Sequence, residues 1–300
     1  MANVGRSALV IACGLGDTQS MTSRWIVGTD GSDSAANALR WGALHAVGRD
    51  ADIVVLRAYH VPAALAIMVA KRGFGVDQLG LAATAGHEVD EAIAAIDGLD
   101  AESLIVEGNP AHEMVEAAAN AALLIVGRTG EGDLLHHALG SVSRYCATHS
   151  PVPVVVVPSG WEPRSSGLIA VGFDGSDNAM AALQWAVGFA SEGVTVRAVA
   201  AIEHAPWIGQ DLTFARFPAE IDAEEQHLNE LIDSVDPDRR IERDIALRGA
   251  RQTLTEVSET ADLLVVGSSG RGRVAAGLLG SVSTSILHST SCPVAVVPPI

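Results

Sequence analysis

Basic charge is scarce in this 300-residue chain: 19 Lys and Arg stand against 36 Asp and Glu, for a formal charge of −17. Nucleic-acid binding rests largely on Lys and Arg neutralising phosphates, and anionic membrane surfaces attract polybasic segments, so both partner classes are disfavoured. A small phosphorylated ligand is not excluded, because a nest of backbone N–H groups at a helix end can hold an anion inside an acidic protein. Cysteine is scarce as well. Cys13, Cys146 and Cys292 form no CxxC pair and no Cys/His ligand spacing, which points to a reduced, cytoplasmic setting without disulfide or metal staples. No apolar run approaches the ~20 residues of a membrane span. The stretch SALVIACGLG after Arg6 falls short of a secretory signal, so residues 1–22 read as a disordered tail, with Met21 an alternative start. Also missing are the Gly-Lys-Thr/Ser of a Walker A loop, an obvious base to activate water, and any readable Ser/His/Asp grouping.

What the chain has instead is repetition. Val27 to Trp41 (VGTDGSDSAANALRW) recurs at a shift of 144 as Val171 to Trp185 (VGFDGSDNAMAALQW), identical at 10 of 15 positions. Leu123 to Ser143 (LLIVGRTGEGDLLHHALGSVS) recurs at a shift of 140 as Leu263 to Ser283 (LLVVGSSGRGRVAAGLLGSVS), identical at 11 of 21. A period this long repeats a whole domain, since solenoid units run roughly 20–50 residues. The sequence therefore divides into residues 1–22, a first domain at 23–158, a polar seam at 159–167 (SGWEPRSSG) and a second domain at 168–300.

Each domain alternates short, continuously apolar runs with helical stretches, the pattern of a parallel sheet covered on both faces. Strands are expected near 24–29, 52–58, 103–106, 123–126 and 153–157, and again near 168–173, 194–200, 241–245, 263–266 and 294–297. The fold class is α/β: two tandem Rossmann-like, doubly wound domains, each with five parallel strands. Pro62 and Pro206 open the segments that differ most between the halves.

Ligands of open parallel sheets bind at the carboxyl ends of the strands, and the repeated punctuation falls there. Asp30 and Asp174 follow the first strand of each domain. Gly127 and Gly130, or Gly267 and Gly270, follow the fourth; Gly130 is expected to take a positive φ in a tight turn. Nine residues on, Gly140-Ser141 and Gly280-Ser281 open a helix whose unpaired N–H groups and dipole attract phosphate oxygens, with the hydroxyls of Ser141 and Ser143 as further donors. The alternative is that these glycines are turn residues and the serines N-caps. Asp30 and Asp174 have three readings: Mg²⁺ ligands, bases, or helix-capping residues that orient a ligand.

Gly-x-x-Gly-x9-Gly-Ser, after a strand ending in Val-Gly-x-Asp-Gly-Ser, closely resembles the universal stress protein family, and the doubled arrangement resembles its tandem-domain actinobacterial members. The resemblance implies strand order 3-2-1-4-5, ATP, with Mg, between the first-strand Asp and the Gly loop, and a homodimer or tandem-domain self-association. Carried over position by position, Gly28 and Asp30 line the adenine and ribose side of site one, and Gly127, Arg128, Thr129, Gly130, Gly132, Gly140, Ser141, Val142 and Ser143 hold ribose and phosphates. Site two has Gly172 and Asp174, then Gly267, Ser268, Ser269, Gly270, Arg271, Gly272, Arg273, Gly280, Ser281, Val282 and Ser283. Where site one carries Glu131 and Asp133, site two carries Arg271 and Arg273, so site two is expected to bind the polyphosphate more tightly, with His136 and His137 partly compensating in site one; the alternative is that all four loop side chains face solvent. The implied function is ATP-dependent regulation in a stress response, nucleotide occupancy altering conformation or assembly. A slow Mg-dependent ATPase and an interaction module with vestigial sites are the alternatives.

Overall fold

A computed structural model describes residues 23–61, 67–68, 71, 80–130, 139–202, 218–235, 241–271 and 278–299. The tail 1–22, most of the segment after Pro62, and the segment after Pro206 lie outside the described residues. The first half comprises β1 (Ser23–Gly28), α1 (Asp33–Ala46), β2 (Ala51–Tyr59), α2 (Leu81–Ala94), β3 (Ala101–Glu107), α3 (Pro110–Ala118), β4 (Leu123–Gly127), α4 (Ser141–His149) and β5 (Val154–Val157). The second comprises β6 (Leu168–Gly172), α5 (Asp177–Phe189), β7 (Thr195–Ala201), α6 (Pro218–Val235), β8 (Glu242–Ala246), α7 (Ala250–Ser258), β9 (Leu263–Gly267), α8 (Ser281–Ser289) and β10 (Val294–Val297).

Within each half the strands are parallel in the order 3-2-1-4-5, but the halves do not form separate sheets. β5 and β10 pair antiparallel, giving one ten-stranded sheet of order β3-β2-β1-β4-β5-β10-β9-β6-β7-β8. The reason lies in strands such as VVVV at Val154–Val157 and VAVV at Val294–Val297, buried along their whole length: left as exposed edges, they would present apolar surface and unpaired backbone groups to water. The continuous apolar runs then serve two cores. Trp25, Val27, Ile53 and Val55 face one layer with Leu39, Trp41 and Val89; Ile26, Val54, Leu56 and Leu124 face the other with Met114, Cys146, Leu254 and Ile286. Cys146 and Cys292 are free and buried, and burial pushes both thiols up to about 12, so they act as core packing.

The seam between the halves is docked against the protein. Trp161 is buried, and the Arg164 guanidinium donates to the carbonyls of Ser258 and Glu259 at 3.1 and 3.0 Å. Helix α3 stops at Ala118, because Ala119 and Ala121 close tighter turns to Glu116 and Ala118. Among the described residues no helix is long and apolar enough to cross a membrane.

Candidate functional site

Asp30 is fixed by its own turn. Its Oδ1 accepts from the Ser32 amide at 3.0 Å and the Ser32 hydroxyl at 2.6 Å, while Ser32 Oγ in turn accepts from the Ala35 amide and caps α1. The second half repeats this with Asp174, Ser176 and Ala179. The cap is therefore the serine, and the aspartate is held with Oδ2 turned toward the glycine loop. A Cβ on residue 130 would lie 2.7 Å from Asp30 Oδ2, and one on residue 270 would lie 2.5 Å from Asp174 Oδ2. Close approach to a carboxylate is thus what demands glycine at 130 and 270. The expected positive φ at Gly130 is not found; it belongs to Gly31 (83°) and Gly175 (78°), which turn the chain from strand into helix.

The loop after β4 is closed on itself. The amide of Arg128 donates to Val157 and that of Gly140 to Arg128, while Thr129 N–H goes to Ser34 Oγ. Ser143 is buried and donates to the carbonyls of Arg128 and Gly140 at 2.8 and 3.0 Å. Its hydroxyl thus clamps the loop instead of serving a ligand, a correction to the sequence expectation; Ser283 does the same with Gly267. Because Gly140 occupies the N-cap without a side-chain hydrogen bond, the first amides of α4, from Ser141 to Ser143, lack an intrahelical acceptor and form the positive end of the helix dipole.

These elements surround a cavity of about 630 Å³ lined by Gly28, Asp30, Gly127, Thr129, Gly130, Gly140, Ser141, Val142 and Ser143, a size usual for small-molecule sites. All the expected site-one residues described converge on it except Arg128. Arg128 is 5% exposed, and its guanidinium crosses to the other half to donate to the Thr290 carbonyl. Burial lowers its pKa, and its Nε has no partner among the described residues. Gly132, with Glu131, Asp133, His136 and His137, lies outside the described residues.

Sequence reasoning missed the opposite wall. Arg57, Tyr59, His60, Pro110 and Met114 also line the cavity, from the carboxyl end of β2 and the start of α3. Arg57 is the basic residue in an otherwise apolar run of β2, and that was the available signal. Its guanidinium pairs with Glu88 at 2.8 Å and donates to the Thr29 carbonyl at 3.4 Å. By sheet register Ala200 takes its place in the second half.

Site two has the same frame but a different state. Gly172 packs on Leu254, Gly280 N–H donates to Ser268, and Ser281 and Val282 open α8 behind an uncapped Gly280. Ser269 Oγ accepts from Asn178. Arg271, expected to face phosphate, is engaged within the protein: its amide donates to Asp174 Oδ2 at 3.0 Å, its Nε to the Asp174 carbonyl, and its terminal nitrogen pairs with Glu224 of α6. α6 also covers the turn, since a Cβ at Gly175 would meet Leu228 at 3.0 Å and Leu231 at 3.2 Å, whereas at Gly31 nothing described lies within 4 Å. Gly272 and Arg273 lie outside the described residues.

Fold and site together define a doubly wound α/β protein whose two homologous halves share one sheet, each with a glycine-rich loop and an uncapped helix N-terminus at the carboxyl edge. The profile of the universal stress protein family matches residues 21–158 and again 167–298, and the chain belongs to that family. It is 31% identical over 284 residues to a universal stress protein of Mycobacterium tuberculosis, covering 90% of this chain and 95% of that one. A universal stress protein of Mycolicibacterium smegmatis is 28% identical over 290 residues, covering 91% and 96%. Among solved structures, a universal stress protein from Archaeoglobus fulgidus superposes with a TM-score of 0.61 at 19% identity, covering 94% of this chain and all of that one; this likeness concerns the fold.

Proposed function

We propose that the protein is a regulatory adenine-nucleotide-binding member of its family, with one ATP site in each of the units 23–158 and 168–300, and that site one is the tighter. The supporting observation is the 630 Å³ cavity in which Asp30, the Gly127–Gly130 loop and the uncapped amides of α4 meet. Asp30 suits a ribose hydroxyl, the α4 N-terminus suits phosphate oxygens, and Met114, Ala58 and Val126 offer an apolar wall for a base. Mg²⁺ would arrive with the polyphosphate and supply charge neutralisation there. Regulation follows from linkage, since a ligand shifts an equilibrium only through its differential affinity for two states. The two buried free thiols suit a cytoplasmic setting.

Equilibrium titration with ATP, with and without Mg²⁺, tests this reading. Saturable binding that is weakened by Asp30→Ala supports it, and no binding at millimolar nucleotide overturns it. Steady release of ADP in the same samples would move the protein into the ATPase alternative.

A further inference from the structure

The two halves are related by a pseudo-twofold that maps residue n onto n + 140 around the loops and strands at the seam. Arg128 of the first half lies against Thr290, the C-cap of α8, and beside Cys292. Leu139 N–H donates to His288 Nδ1 at 3.2 Å in the same region. The pseudosymmetric positions are Ser268 for Arg128, Ser150 for Thr290, Val152 for Cys292 and Thr148 for His288. Those four residues line a cavity of about 580 Å³, with Ser269 and Asn178 beside them. Its lining shares Ser268 and Ser269 with the residues expected for site two but includes neither Asp174 nor Gly270. The cavity exists because two large residues on one side of the pseudo-axis correspond to two small ones on the other.

The filled side shows what such a space accommodates. The end of a helix carries carbonyls without intrahelical donors and the negative end of the dipole, and a cation with several N–H groups satisfies both. Arg128 does this for α8. The equivalent end of α4, where Ala147, Thr148 and Ser150 border the cavity, has a serine facing it in place of an arginine. We propose that this inter-half cavity is a second ligand site that takes a guanidinium group, with Ser150 and the last turn of α4 as acceptors and the Ser268 and Thr148 hydroxyls flanking it. The strongly acidic chain favours a cation at long range.

The test titrates the whole protein with n-butylguanidinium at low millimolar concentration, reading heat and backbone amide shifts. Saturable binding at one site per chain is expected, with a dissociation constant of about 1 mM or tighter, and at least about tenfold weaker binding of n-butylammonium, which lacks the planar fork. Ser268→Arg supplies the mirror guanidinium and should abolish binding. Thr148→His supplies the mirror imidazole and should weaken it at least about fivefold, a second reading if Ser268→Arg does not fold. Arg128→Ser vacates the filled seat and should raise the stoichiometry to two. A short arginine peptide that binds where its citrulline counterpart does not would identify a protein side chain as the source, and binding of the free compound alone identifies a small molecule. No saturable binding of either compound to the wild type, or unchanged binding in both Ser268→Arg and Thr148→His, overturns the proposal.

Discussion

Val155 lies directly opposite Ala295 in the antiparallel pair of β5 and β10, and the two residues occupy the same position in the two halves. A pseudo-twofold axis therefore passes between them, and both are fully buried there. A carboxylate at this point would sit in the middle of a dry sheet with no partner. Val155→Asp should therefore uncouple the halves, at several kcal/mol, and split urea unfolding into two transitions. The exposed Val47→Asp is the control and should shift stability by no more than about 0.5 kcal/mol. A single transition with an unchanged midpoint in Val155→Asp would contradict the role assigned to this pair.

His45 sits close to the same axis, with its ring 6.0 Å from that of Phe189, the residue equivalent to it, and 4.3 Å from that of Trp41. Burial lowers its pKa to about 4, with the nearby Arg49 charge adding to the effect and Asp262 opposing it. In the unfolded chain the imidazole regains its ordinary value near 6.5, so between these values the unfolded state binds the extra proton. This contribution to stability is complete above the unfolded value and is lost as pH falls through that window, by on the order of 3 kcal/mol. The stability gap between wild type and His45→Gln, followed by denaturant unfolding from pH 7 to pH 4, should move against the wild type as pH falls. Parallel profiles would show that His45 charges freely in the folded protein.

At position 130 a methyl group would press on a carboxylate that the Ser32 turn already holds. Gly130→Ala should move Asp30 and lower affinity at site one by roughly ten- to a hundredfold, the worth of a charge-assisted hydrogen bond. Calorimetric titration checks this, alongside circular dichroism to establish that the variant is folded. Undiminished affinity in the folded variant would mean that the nucleotide does not use Asp30.

The Arg271–Glu224 pair predicts an asymmetry opposite to the one the loop charges suggest. With Arg271 held by Glu224 and the Asp174 carbonyl, its charge is not offered to a ligand. Glu224→Gln should free it and tighten the weaker nucleotide site by roughly two- to fivefold, modest because the arginine is half exposed. The gain should shrink in high salt. Tighter binding at site two, measured in Asp30→Ala, than at site one, measured in Asp174→Ala, would show that the latch does not restrain Arg271 in solution.

Much of this protein was open to reading in one dimension. Continuous apolar runs at Trp25–Gly28 or Leu123–Gly127 mean strands buried on both faces, and the repeated Asp and glycines mark the carboxyl edge, because such signals depend only on residues near one another in the chain. Arg57 and Met114 went unread as cavity walls, since they reach the site through strand order and not through spacing from the glycine loop. The seam shows the limit most clearly. The sequence by itself determined that there are two copies of one α/β unit and that the repeated Asp and Gly-x-x-Gly elements of each fall at the carboxyl edge of its strands. Only the tertiary structure decided that β5 and β10 close the two sheets into one, that Arg128 faces Thr290, and that α6 lies over the Gly175 turn. Those outcomes depend on which side chain meets which across 47 residues (Arg271 and Glu224) to 162 residues (Arg128 and Thr290) of intervening chain, where pattern carries no information and packing does.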